Sequence, residues 1–100
     1  MSLESLTEAL GRRFAQAPKV GYKVKFVFED GGVIFLDGTG DRPVLSNADG
    51  DADTTMRLSE ENMQKLLDGQ LDPTMAYMAG KLKVEGKLGV ALKINSMLSD

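Results

Sequence analysis

The sequence predicts an α/β (α+β) domain of five strands, mainly antiparallel, and four helices. Three observations carry this. Apolar residues recur at helical spacing in residues 2–16, 59–69 and 73–80, and crowd residues 88–98. Apolar and polar residues alternate in residues 22–28, 54–58 and 81–85, the period of a strand with one buried face. Gly- and Asp-rich turns separate these stretches. The 100 residues hold no repeat, low-complexity tract or linker, so residues 1–100 are expected to form a single domain.

Residues 2–16 read as a helix. Ser2 caps it, Glu4 lies in its first turn, and Arg12 and Arg13 lie near its end, where cations are favoured. Leu3, Leu6, Leu10 and Phe14 form the apolar stripe, and Ala17-Pro18 is the stop. In residues 22–28, Tyr22, Val24, Phe26 and Phe28 share one face. Asp30-Gly31, extended by Gly32, is a hairpin turn. Val33, Ile34, Phe35 and Leu36 return, apolar on both faces and therefore central in the sheet. Residues 38–42 turn, and residues 43–47 form a short strand begun by Pro43, tolerated at a strand start. After a turn at residues 49–51, residues 54–58 form a fourth strand with Thr54, Met56 and Leu58 inward. These four strands read as an antiparallel meander.

Ser59 caps a second helix, with Glu60 and Glu61 in its first turn. Leu58 and Met63 are placed to staple its start; Met63, Leu66 and Leu67 face inward; Gly69 ends it. Asp72-Pro73 opens a short third helix with Met75, Met78 and Ala79 on one face, and Gly80 ends it. Residues 81–85 are the fifth strand. Residues 88–98 alternate partly as a strand would, but their length favours a helix. Leu88, Ala91, Leu92 and Leu98 mark one of its faces and Val90, Ile94 and Met97 another. A helix apolar on most of its circumference needs apolar partners on two sides. A protein core supplies them, and so does a bound apolar ligand.

Composition narrows the chemistry. The chain has no Cys, which excludes disulfide and thiol chemistry and fits a reducing, cytoplasmic setting. It has no His, the commonest general base and metal ligand. A net charge of −3 gives no field that favours nucleic acid. The amino-terminal MSLESLTEALGRRF has no basic-then-apolar pattern, so no secretory leader is expected. No peroxisomal address is expected from Leu98-Ser99-Asp100. No window approaches the ~18 apolar residues of a membrane span.

Several constellations invite chemistry and then fail a physical test. Asp49, Asp51, Asp53 and Glu60 match positions 1, 3, 5 and 12 of a calcium loop, but Thr54 stands where that loop needs Gly, and the flank is strand-like. Asp37 and Asp41 flank glycines in a turn that Asp favours for local hydrogen bonding, with no nucleophile or orienting group beside them. Gly38-Thr39-Gly40 lacks the spacing and the Lys of a phosphate loop. No catalytic residue, metal or cofactor is therefore expected. Lys81, Lys83, Lys87 and Lys93 form a basic cluster in an acidic chain, either a solvated face or one that meets anionic headgroups. Five of the six methionines follow residue 55; they serve equally as gap filling in a core or as the wall of a deformable pocket.

One further reading rests on resemblance. Asp53-Thr54-Thr55-Met56, Leu58, Leu66, Leu67, Gly69, Leu71, Asp72, Pro73, Ala76, Tyr77, Gly80-Lys81-Leu82-Lys83-Val84, Gly86, Gly89 and Lys93 resemble the sterol carrier protein 2 family, most specifically in GKLKVEG and the helix after it. The resemblance runs from about residue 20 to residue 98. It implies a five-stranded, mainly antiparallel sheet with helices on one face, enclosing a hydrophobic tunnel for lipids. The first helix would pack on the sheet or form a lid over the lipid entrance.

The resemblance also implies non-enzymatic binding and transfer of a fatty acid, acyl-CoA, sterol or other isoprenoid. The alternative it implies is an accessory module that presents a lipid or quinone precursor to a biosynthetic enzyme. Partners would be a hydrophobic small molecule, a transiently met membrane surface, and a protein partner or weak homo-oligomer. The tunnel would be lined from Phe26, Phe35, Met56, Met63, Leu66, Leu67, Met75, Tyr77, Met78, Leu82, Leu88, Leu92 and Ile94, with Met78 softening a wall where the family often carries larger aromatics. A ~300–500 Å³ tunnel left empty would cost up to roughly 7–12 kcal/mol, comparable with the ~5–15 kcal/mol stability of a whole domain. Such a tunnel is expected to be filled, or to collapse partly when empty.

Overall fold

The computed structural model describes residues 2–16 and 19–98. The elements run α1 (Leu3–Ala15), β1 (Lys23–Phe28), β2 (Val33–Asp37), β3 (Val44–Ser46), β4 (Thr54–Leu58), α2 (Glu60–Leu67), α3 (Pro73–Met78), β5 (Lys83–Gly86) and α4 (Leu88–Leu98). Each predicted cap satisfies an otherwise orphaned amide: Ser2 accepts from the Ser5 N–H, Ser59 from Asn62 and Asp72 from Met75. The predicted stop at Ala17-Pro18 lies outside the described residues. Residues 88–98 are helical, as their length favours.

The fifth strand starts two residues later than the alternation predicts. The amides of Lys81 and Leu82 both return to the Ala76 carbonyl, at 2.9 and 3.2 Å. They close the end of α3 around Gly80, whose φ is 76°, before the chain can extend.

The sheet has five strands in the order β3-β2-β1-β4-β5. This corrects the predicted four-strand meander. β1, β2 and β3 pair antiparallel, but β4 lies on the far side of β1 and pairs parallel to it, Val24 opposite Thr54 through Phe28 opposite Leu58. β5 then pairs antiparallel with β4. Residues 47–53 must therefore cross two strands, about 14 Å at ~4.8 Å per strand spacing. Seven residues between β3 and β4 reach about 23 Å when extended, so the crossing needs no helix.

That crossing runs over the outer face of the sheet. Lys25 Nζ donates to Asp49 at 2.9 Å and to the Gly50 carbonyl at 3.1 Å. Gly50 lies against the Phe35 ring, which a Cβ there would approach to 3.3 Å. The calcium-like spacing of Asp49, Asp51 and Asp53 belongs to this connection. Asp49 is held by Lys25, and Asp53 accepts from the Lys23 amide at 2.9 Å. Among the described residues, no three acids converge in a metal-holding cluster.

The inner face carries the core. Val24, Phe26, Phe28, Ile34, Leu36, Met56 and Leu58 are buried, and all four helices cover them. Leu6, Leu10 and Phe14 come from α1; Met63 and Leu66 from α2; Ala76 from α3; Val90, Ile94 and Leu98 from α4. Arg13 ties three helices together: its guanidinium donates to the Leu98 carbonyl at 2.6 Å and the Leu67 carbonyl at 2.9 Å. Two helix C-termini thereby gain a charged donor for carbonyls that have no intrahelical partner.

Candidate lipid-binding surface

The candidate surface is made by α3, β5 and α4, and local chemistry sets its shape. Asp72 and Pro73 start α3; Leu82, 1% exposed, anchors the chain in the core after it. Gly86 then has φ +96°, and a Cβ there would stand 2.6 Å from the Asp53 carbonyl oxygen, so only glycine fits. Thr54 Oγ1 donates to the Lys87 carbonyl at 2.7 Å and the Lys87 amide to the Asp53 carbonyl at 3.2 Å. The start of α4 is thus fastened to the start of β4. Its residues divide by helical phase: Val90, Ala91, Ile94, Asn95 and Leu98 are buried, whereas Leu88, Leu92, Lys93 and Ser96 are exposed.

The structure separates the thirteen predicted lining residues into distinct environments. Phe26, Met56, Met63, Leu66, Leu82 and Ile94 are at most 1% exposed and form the packed core. Leu67 is half-buried against it. Phe35 departs from the set, because its neighbours Ile34 and Leu36 take the inner face and leave it on the outer one, against Gly50. Met75 (66% exposed), Tyr77 (45%), Met78 (79%), Leu88 (49%) and Leu92 (57%) lie on the surface of α3 and α4, which pack against each other. Five large apolar side chains are thus exposed on two helices that adjoin.

Tyr22, placed by alternation on the face of Val24, Phe26 and Phe28, is 37% exposed, whereas those three are buried. Its ring lies 5.9 Å from both Lys87 Nζ and Lys93 Nζ, within cation–π range. It precedes the first residue of β1, so alternation has no hold on it. Lys93 also donates to the Val20 carbonyl at 3.0 Å. Lys81, just after α3, and Lys87, just before α4, are exposed, whereas Lys83, opposite Arg57 in the register, lies on the outer face of the sheet. Asn95 carries no signal in the sequence pattern; it is 8% exposed, and its Oδ1 is buried with no hydrogen-bond donor among the described residues.

A concavity of about 580 Å³ lies elsewhere, beside α1 and β3, bordered by Gly11, Ala15, Arg42, Pro43 and Leu45. A smaller one of about 90 Å³ adjoins it at Phe14, Val20 and Gly38. None of the thirteen residues borders either. Near them, Asp37 is locked in a local turn: the Thr39 hydroxyl and then the Thr39 N–H hold its carboxyl below the usual carboxylate range. Held as an anion, it is a poor proton donor at neutral pH.

The model of the SCP-2 sterol transfer family matches residues 9–99. Hydroxysteroid dehydrogenase-like protein 2 of Bos taurus is 32% identical over 94 residues, covering 92% of this chain and 22% of that protein. The chain spans about a fifth of the length of the curated relatives it matches. Palmitated SCP2L2 from Aedes aegypti has a similar fold, with a TM-score of 0.75 at 18% identity over 100% of this chain and 96% of that one. UbiJ-SCP2, a ubiquinone synthesis protein, gives a TM-score of 0.72 at 17% identity over 99% and 93%. The mixed five-stranded sheet with four helices is an SCP2-like fold. The family match over nine-tenths of its length makes this chain a member of the SCP-2 sterol transfer family.

Proposed function

We propose that this domain binds and moves one lipid-like molecule, a fatty acid, acyl-CoA, sterol or other isoprenoid, without covalent chemistry. The observation that carries the proposal is the exposure of Met75, Tyr77, Met78, Leu88 and Leu92 on α3 and α4. A hydrocarbon chain laid along these helices removes their apolar surface from water. The methionines adapt to an irregular partner, since their side chains are unbranched and polarisable. The packed inner core fits this arrangement: Phe26, Met56, Met63, Leu66, Leu82 and Ile94 are already buried among protein, which leaves the outer surface of α3 and α4 as the seat. The test is thermal. Delipidated protein is melted with palmitate, an acyl-CoA and a sterol in turn. Ligand at a hundredfold over its Kd adds about 2.7 kcal/mol, roughly 10–20 °C in a domain of this size. A melting temperature unmoved by all three classes overturns the proposal.

A second reading treats the domain as an accessory module that presents a lipid or quinone precursor to an enzyme. It is favoured by the resemblance in fold to UbiJ-SCP2, which covers nearly the whole of both chains. Recovery of a stable protein partner together with lipid supports this reading; lipid recovered from the isolated domain alone supports the first.

A further inference from the structure

We infer that Asn95 selects the head group of the bound lipid, favouring a neutral lipid alcohol over a carboxylate of the same chain. The inference deepens the proposed lipid-binding function by naming a head-group class, and it rests on that function. Asn95 is 8% exposed, and its Oδ1 is buried with no hydrogen-bond donor among the described residues. Folded proteins leave few buried acceptors in that condition, because each forfeits its hydration without a replacement. The helical neighbours Ala91, Leu92 and Leu98 are apolar and offer it nothing. A ligand that brings its own donor satisfies it.

The position of Asn95 joins it to the apolar surface. It follows Leu92 by three residues and Leu88 by seven, so the three lie along one stripe of α4. Leu88 and Leu92 are exposed, whereas Asn95 is buried. Its side chain leans toward the amino-terminal end of the helix, and so toward the turn that carries Leu92. A hydroxyl that slips beneath Leu92 therefore meets Oδ1, while its hydrocarbon lies along the exposed side chains of α3 and α4. The charges favour the same head group. Lys87 precedes Asn95 by eight residues, about 12 Å along the helix axis. Arg13, at the end of α4, is committed to the Leu98 and Leu67 carbonyls. Lys93 stands two residues before Asn95, on the opposite side of the helix, and donates to the Val20 carbonyl. A carboxylate at Asn95 Oδ1 sets an anion against an acceptor and leaves both unpaired. A hydroxyl donates its one proton and satisfies the oxygen.

Dodecanol, methyl dodecyl ether and laurate share a chain and differ at the head. Each is titrated into delipidated protein in competition with a fluorescent long-chain fatty acid. Wild-type protein is expected to bind dodecanol about tenfold tighter than the ether, which accepts a hydrogen bond but cannot donate one. Asn95→Leu removes the acceptor and is expected to bind alcohol and ether equally, with laurate bound as by wild type. Asn95→Asp keeps an acceptor of the same shape; it is expected to retain the preference for the alcohol and to weaken laurate by like-charge repulsion. A melting curve on each variant establishes that it is folded. Cholesterol against its methyl ether, run in the same way, distinguishes a ring-built alcohol from a linear one, and a preference in either pair supports the inference. Equal affinity for alcohol and ether in both pairs overturns it, and is the result expected if a water permanently occupies the acceptor. So does a preference that survives in Asn95→Leu, or an equal loss of every ligand in that variant, which makes Asn95 a structural residue. Wild-type protein that binds none of these ligands overturns the lipid-binding function itself, and the inference with it.

Discussion

Met78→Ala separates a lipid seat from a packed core. Met78 is 79% exposed and lies at the end of α3, so truncation leaves no cavity and is expected to change stability by no more than about 0.5 kcal/mol. Its contribution to binding is different. Truncation removes three heavy atoms beyond Cβ, each worth about 0.8 kcal/mol when buried, and 79% of the residue is available for a ligand to cover. The loss is therefore at most about 1.9 kcal/mol, roughly a 25-fold rise in Kd. The assay is titration of a fluorescent long-chain fatty acid into delipidated protein, with a melting curve on the same sample. Met63→Ala is the counterpart. Met63 is fully buried, and its truncation costs about 2–5 kcal/mol of folding free energy, a fall of roughly 10 °C or more. If Met78→Ala binds fatty acid as tightly as wild type, the exposed surface of α3 is not the seat. If it melts like Met63→Ala, the side chain belongs to the core.

Two other predictions probe single groups. Asn95→Leu is expected to raise the melting temperature by about 4 °C or more, because an unpaired buried acceptor costs about 1–3 kcal/mol; a lower melting temperature shows that the oxygen is satisfied in solution. Asp49, held by the Lys25 ammonium and the Gly50 N–H, is expected to titrate below the usual carboxylate value in a carboxyl NMR experiment, and Lys25→Met to raise its midpoint. The sign comes from the depressed folded pKa: the contribution is present above the unfolded value near ~3.9 and is lost as pH falls through the folded one. A midpoint unmoved by Lys25→Met leaves the Gly50 amide as the cause.

Local signals are legible because they act over a few residues. Ser2, Ser59 and Asp72 cap the helices they are expected to cap, since the amides they satisfy lie only three residues away. The order of strands is not legible. Alternation in residues 54–58 states which side chains are inward, but it is silent on whether the neighbour is β3 or β1. β4 takes its place beside β1, where Thr54, Met56 and Leu58 continue the apolar face of Val24, Phe26 and Phe28. Phe35 escapes its expected face for a related reason: a strand apolar on both faces gives no phase, and its ring meets the connection crossing the outer face. The guanidinium of Arg13 shows the same limit, since its two acceptors lie 54 and 85 residues away in the chain.

Residue order alone determined the helices and strands, the caps, the absence of His and Cys chemistry, and, through the GKLKVEG segment and its neighbours, a resemblance that the family match over residues 9–99 bears out. Only the tertiary structure decided which greasy side chains meet protein and which meet water. Met63 and Met78 are the same residue type on helices of similar pattern, yet one is fully buried and the other 79% exposed. Periodicity describes a face of one element, whereas burial depends on whether another element arrives to cover it, and over the outer surface of α3 and α4 none does among the described residues.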